Sequence, residues 1–171
     1  MGCDINAHIE YTTQRGDSRP IVHHFCHAVI ARDYALFAII ADVRNQKGGP
    51  QPVAMPKGLP SDLSAGARDT YVLTIDDELT RLEVDGYCTR EEAARWVAER
   101  SSEYVDAGKT LVTDPDAHSA SWLSYEEIQC ASDRYREFAG QPSIDLAAIV
   151  GAMRSINDAR AISRLVFWFV G

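Results

Sequence analysis

The strict alternation of the first eleven residues constrains this chain more than any other feature. Cys3, Ile5, Ala7, Ile9 and Tyr11 fall on one side of an extended backbone, and Asp4, Asn6, His8 and Glu10 on the other. A period of two is the mark of a strand whose apolar side must be covered. The other end of the chain, Leu165-Val166-Phe167-Trp168-Phe169-Val170, is apolar on both sides and fits a strand buried on both faces. The stretches between them carry helical patterns. The pattern predicts an α+β fold: a single domain over 1–171 with one central sheet. That sheet includes the N- and C-terminal strands, adjacent near its centre, with helices packed around it.

Local signals place the intervening elements. Gln14-Arg15-Gly16-Asp17 reads as a turn, and His23 to Ile30 as a second strand. Asp33 precedes Leu36, Phe37, Ile39, Ile40 and Val43, a capped amphipathic helix ending near Arg44-Asn45. From Lys47 to Ser64 the chain carries Pro50, Pro52, Pro56 and Pro60 with Gly48, Gly49 and Gly58, a loop of a length more often functional than idle. Tyr71 to Ile75 reads as a short strand. Thr89-Arg90-Glu91-Glu92 and Ser124-Tyr125-Glu126-Glu127 are capping boxes that open helices. Asp114 to Leu123 reads as a polar loop, and Ile144 to Ile156 as a last helix.

Composition narrows the function classes. A net charge of -8 and a pI near 5.0 argue against binding duplex nucleic acid, which needs a basic footprint. They leave room for a small anion, since one or two cations in a pocket suffice to hold a phosphate. No apolar run approaches the roughly 18 residues of a membrane span. The opening has no basic segment followed by a long apolar run, so no signal peptide is expected. Gly2 lacks the Ser or Thr at position 6 of a myristoylation motif, since that residue is Asn6. These features predict a cytoplasmic protein with no membrane partner, and homo-oligomerisation stays open. The four cysteines are scattered, and reduced thiols are expected.

Three groups of residues are candidates for chemistry. Asp4, Asn6, His8 and Glu10 share the polar side of the first strand and suit ribose hydroxyls or a base edge. As metal ligands, alternate positions on one strand seldom reach one ion, so no metal and no cofactor are predicted. A solvated strand face is the competing reading. Asp116, His118, Ser119, Ser121 and Trp122 form the second group. Neighbours on an extended chain point apart, which weakens a Ser/His nucleophile, and contact with a ligand is favoured. The third group is Arg32, Asp33 and Tyr34 at a helix start, with Arg44 at its end and Lys57 across the loop, cations suited to phosphate. His23, His24 and His27 read as structural or surface residues.

Several of these segments together resemble a known family. They are Gly2-Cys3-Asp4-Ile5-Asn6-Ala7-His8-Ile9-Glu10, Arg32 to Phe37, Val43 to Asn45, Pro56 to Ser64, Gly86 to Ala93, Asp114 to Leu123 and Arg164 to Phe169. The chain is similar to small uncharacterised proteins common in phages and prophages, which open on Gly-Cys-Asp-Ile-His-x-His-x-Glu. It departs from them at Asn6, at Ala120 within His118-Ser119-Ala120-Ser121-Trp122, and at Val170 after Phe167-Trp168-Phe169. The resemblance implies that histidines present in relatives are missing here, which favours binding over hydrolysis. The expected function is therefore anti-defence: sequestration of a small nucleotide-derived immune signal, of the cyclic nucleotide or cyclic ADP-ribose class, in an enclosed pocket. The expected partner is a phosphate-bearing nucleotide. The alternatives are a phosphodiesterase using His8 or His118 as acid or base with Arg32 stabilising charge, and a protein–protein inhibitor of a host factor.

Overall fold

A computed structural model describes residues 2–13, 19–78 and 85–171. The fold is α+β, and its contacts divide the chain into two compact units, Met1–Ser64 with His118–Gly171, and Ala65–Ala117. The predicted turn at Gln14 to Asp17 lies outside the described residues.

The first unit is built on a four-stranded sheet in the order β2-β1-β7-β6. β1 (Asp4–Thr13) pairs antiparallel with β2 (Ile21–Ala28) on one side and with β7 (Ile162–Val170) on the other. The first and last strands thus sit together at the sheet's centre, as the sequence predicts. The alternation of β1 is realised in the core. Cys3, Ile5, Ala7 and Ile9 join Leu165, Phe167 and Phe169 of β7 and Leu123 of β6 (Ala117–Ser124) in one apolar cluster. Three helices fill out that cluster: α1 (Tyr34–Ala41), α4 (Tyr125–Ala139) and α5 (Ile144–Asp158).

The helix signals act as read. The Asp33 carboxylate accepts from the backbone N–H of Ala35 and Leu36 at the start of α1. Ser124 and Glu127 form a complete capping box at the start of α4. Six of the eight residues of α1 are buried, so this helix is a core element held by packing more than by propensity. It ends on Asp42 in the left-handed conformation (φ 58°), and Val43 and Arg44 (φ 56°) turn the chain into the loop. The loop from Lys47 to Ser64 is tied down along its length. Val53 N–H donates to Ile39 O at 2.7 Å, Gly58 N–H to Ala120 O at 3.0 Å, and Arg134 Nη1 to Pro52 O at 2.6 Å.

One expectation is corrected. The segment read as a polar loop, Asp114 to Leu123, supplies the strand β6 from Ala117 onward. Short serines gave it little strand character of its own, and its place in the sheet comes from tertiary pairing.

The second unit holds a three-stranded sheet in the order β4-β3-β5, formed by Tyr87–Cys88, Val72–Ile75 and Leu111–Thr113. It also holds α2 (Ala65–Tyr71), which the sequence reading missed, and α3 (Arg90–Glu99), opened by the predicted capping box at Thr89. Ile75, Cys88, Ala93 and Val112 form its own small core. No described helix is long and apolar enough to cross a membrane.

Candidate functional site

The inner half of the predicted polar side of β1, His8 and Glu10, is built into the protein, while Asp4 stays exposed. Glu10 is fully buried. Its carboxylate accepts from the backbone N–H of Ser64 at 2.8 Å and from Arg164 Nε at 2.8 Å. The same guanidinium reaches the Asp62 carboxylate at 2.7 Å. Strand register brings this about, since Glu10 lies directly across from Arg164 in the β1–β7 pair.

His8 is also buried, stacked on the Trp168 indole with ring centroids 5.1 Å apart and planes 16° apart. Its Nδ1 shares a hydrogen bond with His24 Nε2 at 3.0 Å, and the His27 ring lies 4.9 Å away. Burial, reinforced by the neighbouring His27 and His24, pushes the His8 imidazole down to about 4, so it is neutral at physiological pH. His24 and His27, read from sequence as structural or surface residues, are exposed and belong to this cluster. Their link to His8 depends on strand pairing and on a bulge near Ile9/Glu10, neither of which spacing reveals. Among the described residues, no group of three or more His, Cys, Asp or Glu side chains is placed to hold a metal ion.

The cations expected to meet phosphate are largely engaged with carboxylates. Arg32 grips Asp4 through two nitrogens at 2.7–2.9 Å, and this exposed pair holds the Asp4 carboxyl below its usual range. Lys57 Nζ lies 2.6 Å from Glu127 Oε1 and 4.3 Å from the centre of the Trp122 ring. Ser121 is buried and accepts from the Lys57 backbone N–H, which pins the loop to β6. Asp33, beyond its capping bonds, accepts from the Tyr135 hydroxyl at 2.5 Å. That bond and burial push the Tyr135 hydroxyl up to about 12. Asn6 is half-buried across from Trp168.

What the structure does bring together is Arg44, His118 and Ser119. With Asp42, Met55 and Pro56 they line an open cleft of about 370 Å³ where the end of α1, the proline-rich loop and the start of β6 meet. Asp42, Arg44 and Ser119 (φ 52°) all have left-handed backbones, which side-chain-bearing residues adopt rarely. At Asp42 the conformation terminates a helix. At Arg44 it belongs to the turn that follows the helix, whereas at Ser119, inside β6, no helix end or turn explains it, and such conformations gather at functional sites.

The left-handed Ser119 has a direct chemical consequence. It breaks the extended alternation, so His118 Nδ1 and Ser119 Oγ lie 3.0 Å apart and hydrogen-bond instead of pointing apart as expected of neighbours on a strand. On its other side His118 Nε2 lies 3.9 Å from the Cys3 sulfur, and the ring stacks on Phe169 at 5.9 Å. The Cys3 thiol donates to the Asp4 carbonyl oxygen at 3.8 Å. Each ring nitrogen thus has a partner, the Cys3 sulfur at Nε2 and the Ser119 hydroxyl at Nδ1.

A second cleft, of about 290 Å³, is also lined by Arg44. It is lined by Tyr34 and Phe138 and by the Asn45 to Pro50 stretch with Lys47, Gly48 and Gly49. Of these, only Tyr34 and Arg44 stand among the residues picked from sequence. Phe138 and Met55 carried no sequence signal, apart from their being apolar residues left exposed by the helical and loop patterns. No family model matches this sequence, and neither a curated protein nor a solved structure matches it.

Proposed function

We propose that the protein binds a small phosphate-bearing nucleotide ligand in the Arg44–His118–Ser119 cleft and holds it without turnover. The observation that carries this reading is the meeting, in one open cleft, of a guanidinium, an imidazole and a hydroxyl on strained backbone. Arg44 offers a planar set of donors to phosphate oxygens. The Asp42 carboxylate, which accepts from Asn45 Nδ2 at 2.6 Å, suits the hydroxyls of a ribose. His118 and Met55 offer a ring and a thioether to a base. Combined with the resemblance to phage and prophage proteins, this reading is capture of a nucleotide-derived immune signal, of the cyclic nucleotide or cyclic ADP-ribose class, as an anti-defence function.

A second reading, hydrolysis of such a ligand, is favoured by the Ser119 Oγ–His118 Nδ1 contact at 3.0 Å, which is the geometry of a hydroxyl facing its base. The two readings part on the fate of the ligand. The full chain is incubated with cyclic nucleotides and ADP-ribose derivatives, desalted, denatured by heat, and the released small molecules are weighed by mass spectrometry. Retention of an unchanged ligand supports binding. A changed mass supports the hydrolase. Retention of no nucleotide, with the ligand in the desalted fraction also unchanged in mass, overturns both.

A further inference from the structure

Arg44 is the only described residue lining both of these clefts. Its backbone is left-handed (φ 56°) at this shared position. Each cleft measures about 290 or 370 Å³, close to the lower end of the ~300–1,000 Å³ typical of small-molecule sites. Either one therefore suits a single base-and-sugar half of a ligand.

Each cleft also has its own apolar wall. On one side stand Tyr34 and Phe138, 44% and 52% exposed, aromatic rings left open to solvent beside the cationic Lys47. On the other stand the exposed Met55 and the His118 ring. Exposed rings at a cleft mark a surface for flat apolar groups, and base stacking is the commonest use of such rings in nucleotide recognition. A guanidinium between two ring-bearing clefts matches one phosphate linking two ring-bearing groups.

Resting on the nucleotide-binding reading above, we infer that the ligand is two-part, with two nucleoside-like halves joined through phosphate. One half lies against Tyr34 and Phe138, the other against His118 and Met55, and the linking phosphate meets Arg44. A mononucleotide fills one cleft. A dinucleotide fills both, and its second half binds at high effective concentration.

The test is calorimetric titration of the full chain with AMP and GMP and with the matching cyclic dinucleotides. The expected result is a dinucleotide bound about a hundredfold or more tighter than its mononucleotide, in line with linked binding of two halves. Phe138→Ala and His118→Ala should each remove about tenfold or more from dinucleotide affinity, whereas at most one of them weakens the mononucleotide. Phe138 is exposed, so its removal is expected to leave folding intact, and thermal melts of both variants check this. Equal affinity for mono- and dinucleotide overturns the two-part inference and leaves single-nucleotide binding standing. Binding of neither overturns the nucleotide site itself, and the inference with it.

Discussion

Replacing Arg164 with methionine should destabilise the protein far more than any neighbouring charge change. Arg164 is mostly buried and faces the fully buried Glu10 carboxylate at 2.7 Å across the β1–β7 pair. Without the guanidinium, Glu10 keeps the backbone N–H of Ser64 as donor and loses the cation that balances its charge among the described residues. Breaking a buried pair from one side costs about 3–5 kcal/mol, a large share of the ~5–15 kcal/mol that holds a domain together. At a urea dependence of about 2 kcal/mol per molar, the denaturation midpoint falls by roughly 1.5–2.5 M. The other partner of the same guanidinium supplies the control. Asp62 is more than half exposed, and Asp62→Asn should cost no more than about 1 kcal/mol. Combining Glu10→Gln with Arg164→Met removes both charges and should recover most of the loss, because the penalty lies in the stranded carboxylate. Urea titrations of the four proteins read this directly. An Arg164→Met midpoint indistinguishable from that of Asp62→Asn would refute the argument that burial makes this pair matter.

Two further outcomes follow from the site residues. His8 stays neutral in the fold down to about pH 4, whereas in the unfolded chain it takes up a proton near pH 6.5. Its contribution is thus fully present above pH 6.5 and is lost as pH falls toward 4, by up to about 3 kcal/mol. His8→Phe should flatten that acid arm in stability measured between pH 7 and 4; an unchanged slope would show that His8 does not carry it. Ser119→Gly should hold or raise the melting temperature, since glycine relieves a left-handed backbone that costs other residues roughly 1–2 kcal/mol. The same change should weaken ligand binding, and a drop in melting temperature would show that the hydroxyl serves the fold.

Features set by local chemistry were legible in the sequence. The alternation of β1, the Asp33 cap and the capping boxes at Thr89 and Ser124 each depend on residues within a turn or a strand of one another. What escaped depends on distant partners. Asp4, Asn6, His8 and Glu10 share a side as predicted, but β7 places Trp168 against His8 and Arg164 against Glu10 and so buries these two, while Asp4 stays exposed. β6 escaped because its serines carry weak strand preference until β7 pairs with it. The His118–Ser119 contact escaped because alternation assumes extended backbone, and a single left-handed residue cancels the assumption. Tyr34, Arg44, His118 and Ser119 were picked for their chemistry, and the fold brings these four to adjoining clefts while giving Arg32 and Lys57 to Asp4 and Glu127.

Amide chemical-shift mapping of the isotope-labelled protein, titrated with cyclic nucleotides and ADP-ribose, tests most directly whether the Arg44 cleft is the binding site. The expected result is a set of saturable shifts confined to Asp42–Arg44, Met55 and His118–Ser119, with the neighbouring Asn45–Gly49 and Phe138 signals responding when the ligand has two halves. Arg44→Ala should abolish them while leaving the rest of the spectrum in place. Shifts centred instead on His8, His24 and His27, on the three-stranded sheet, or on no residues at all would contradict the assignment of this cleft.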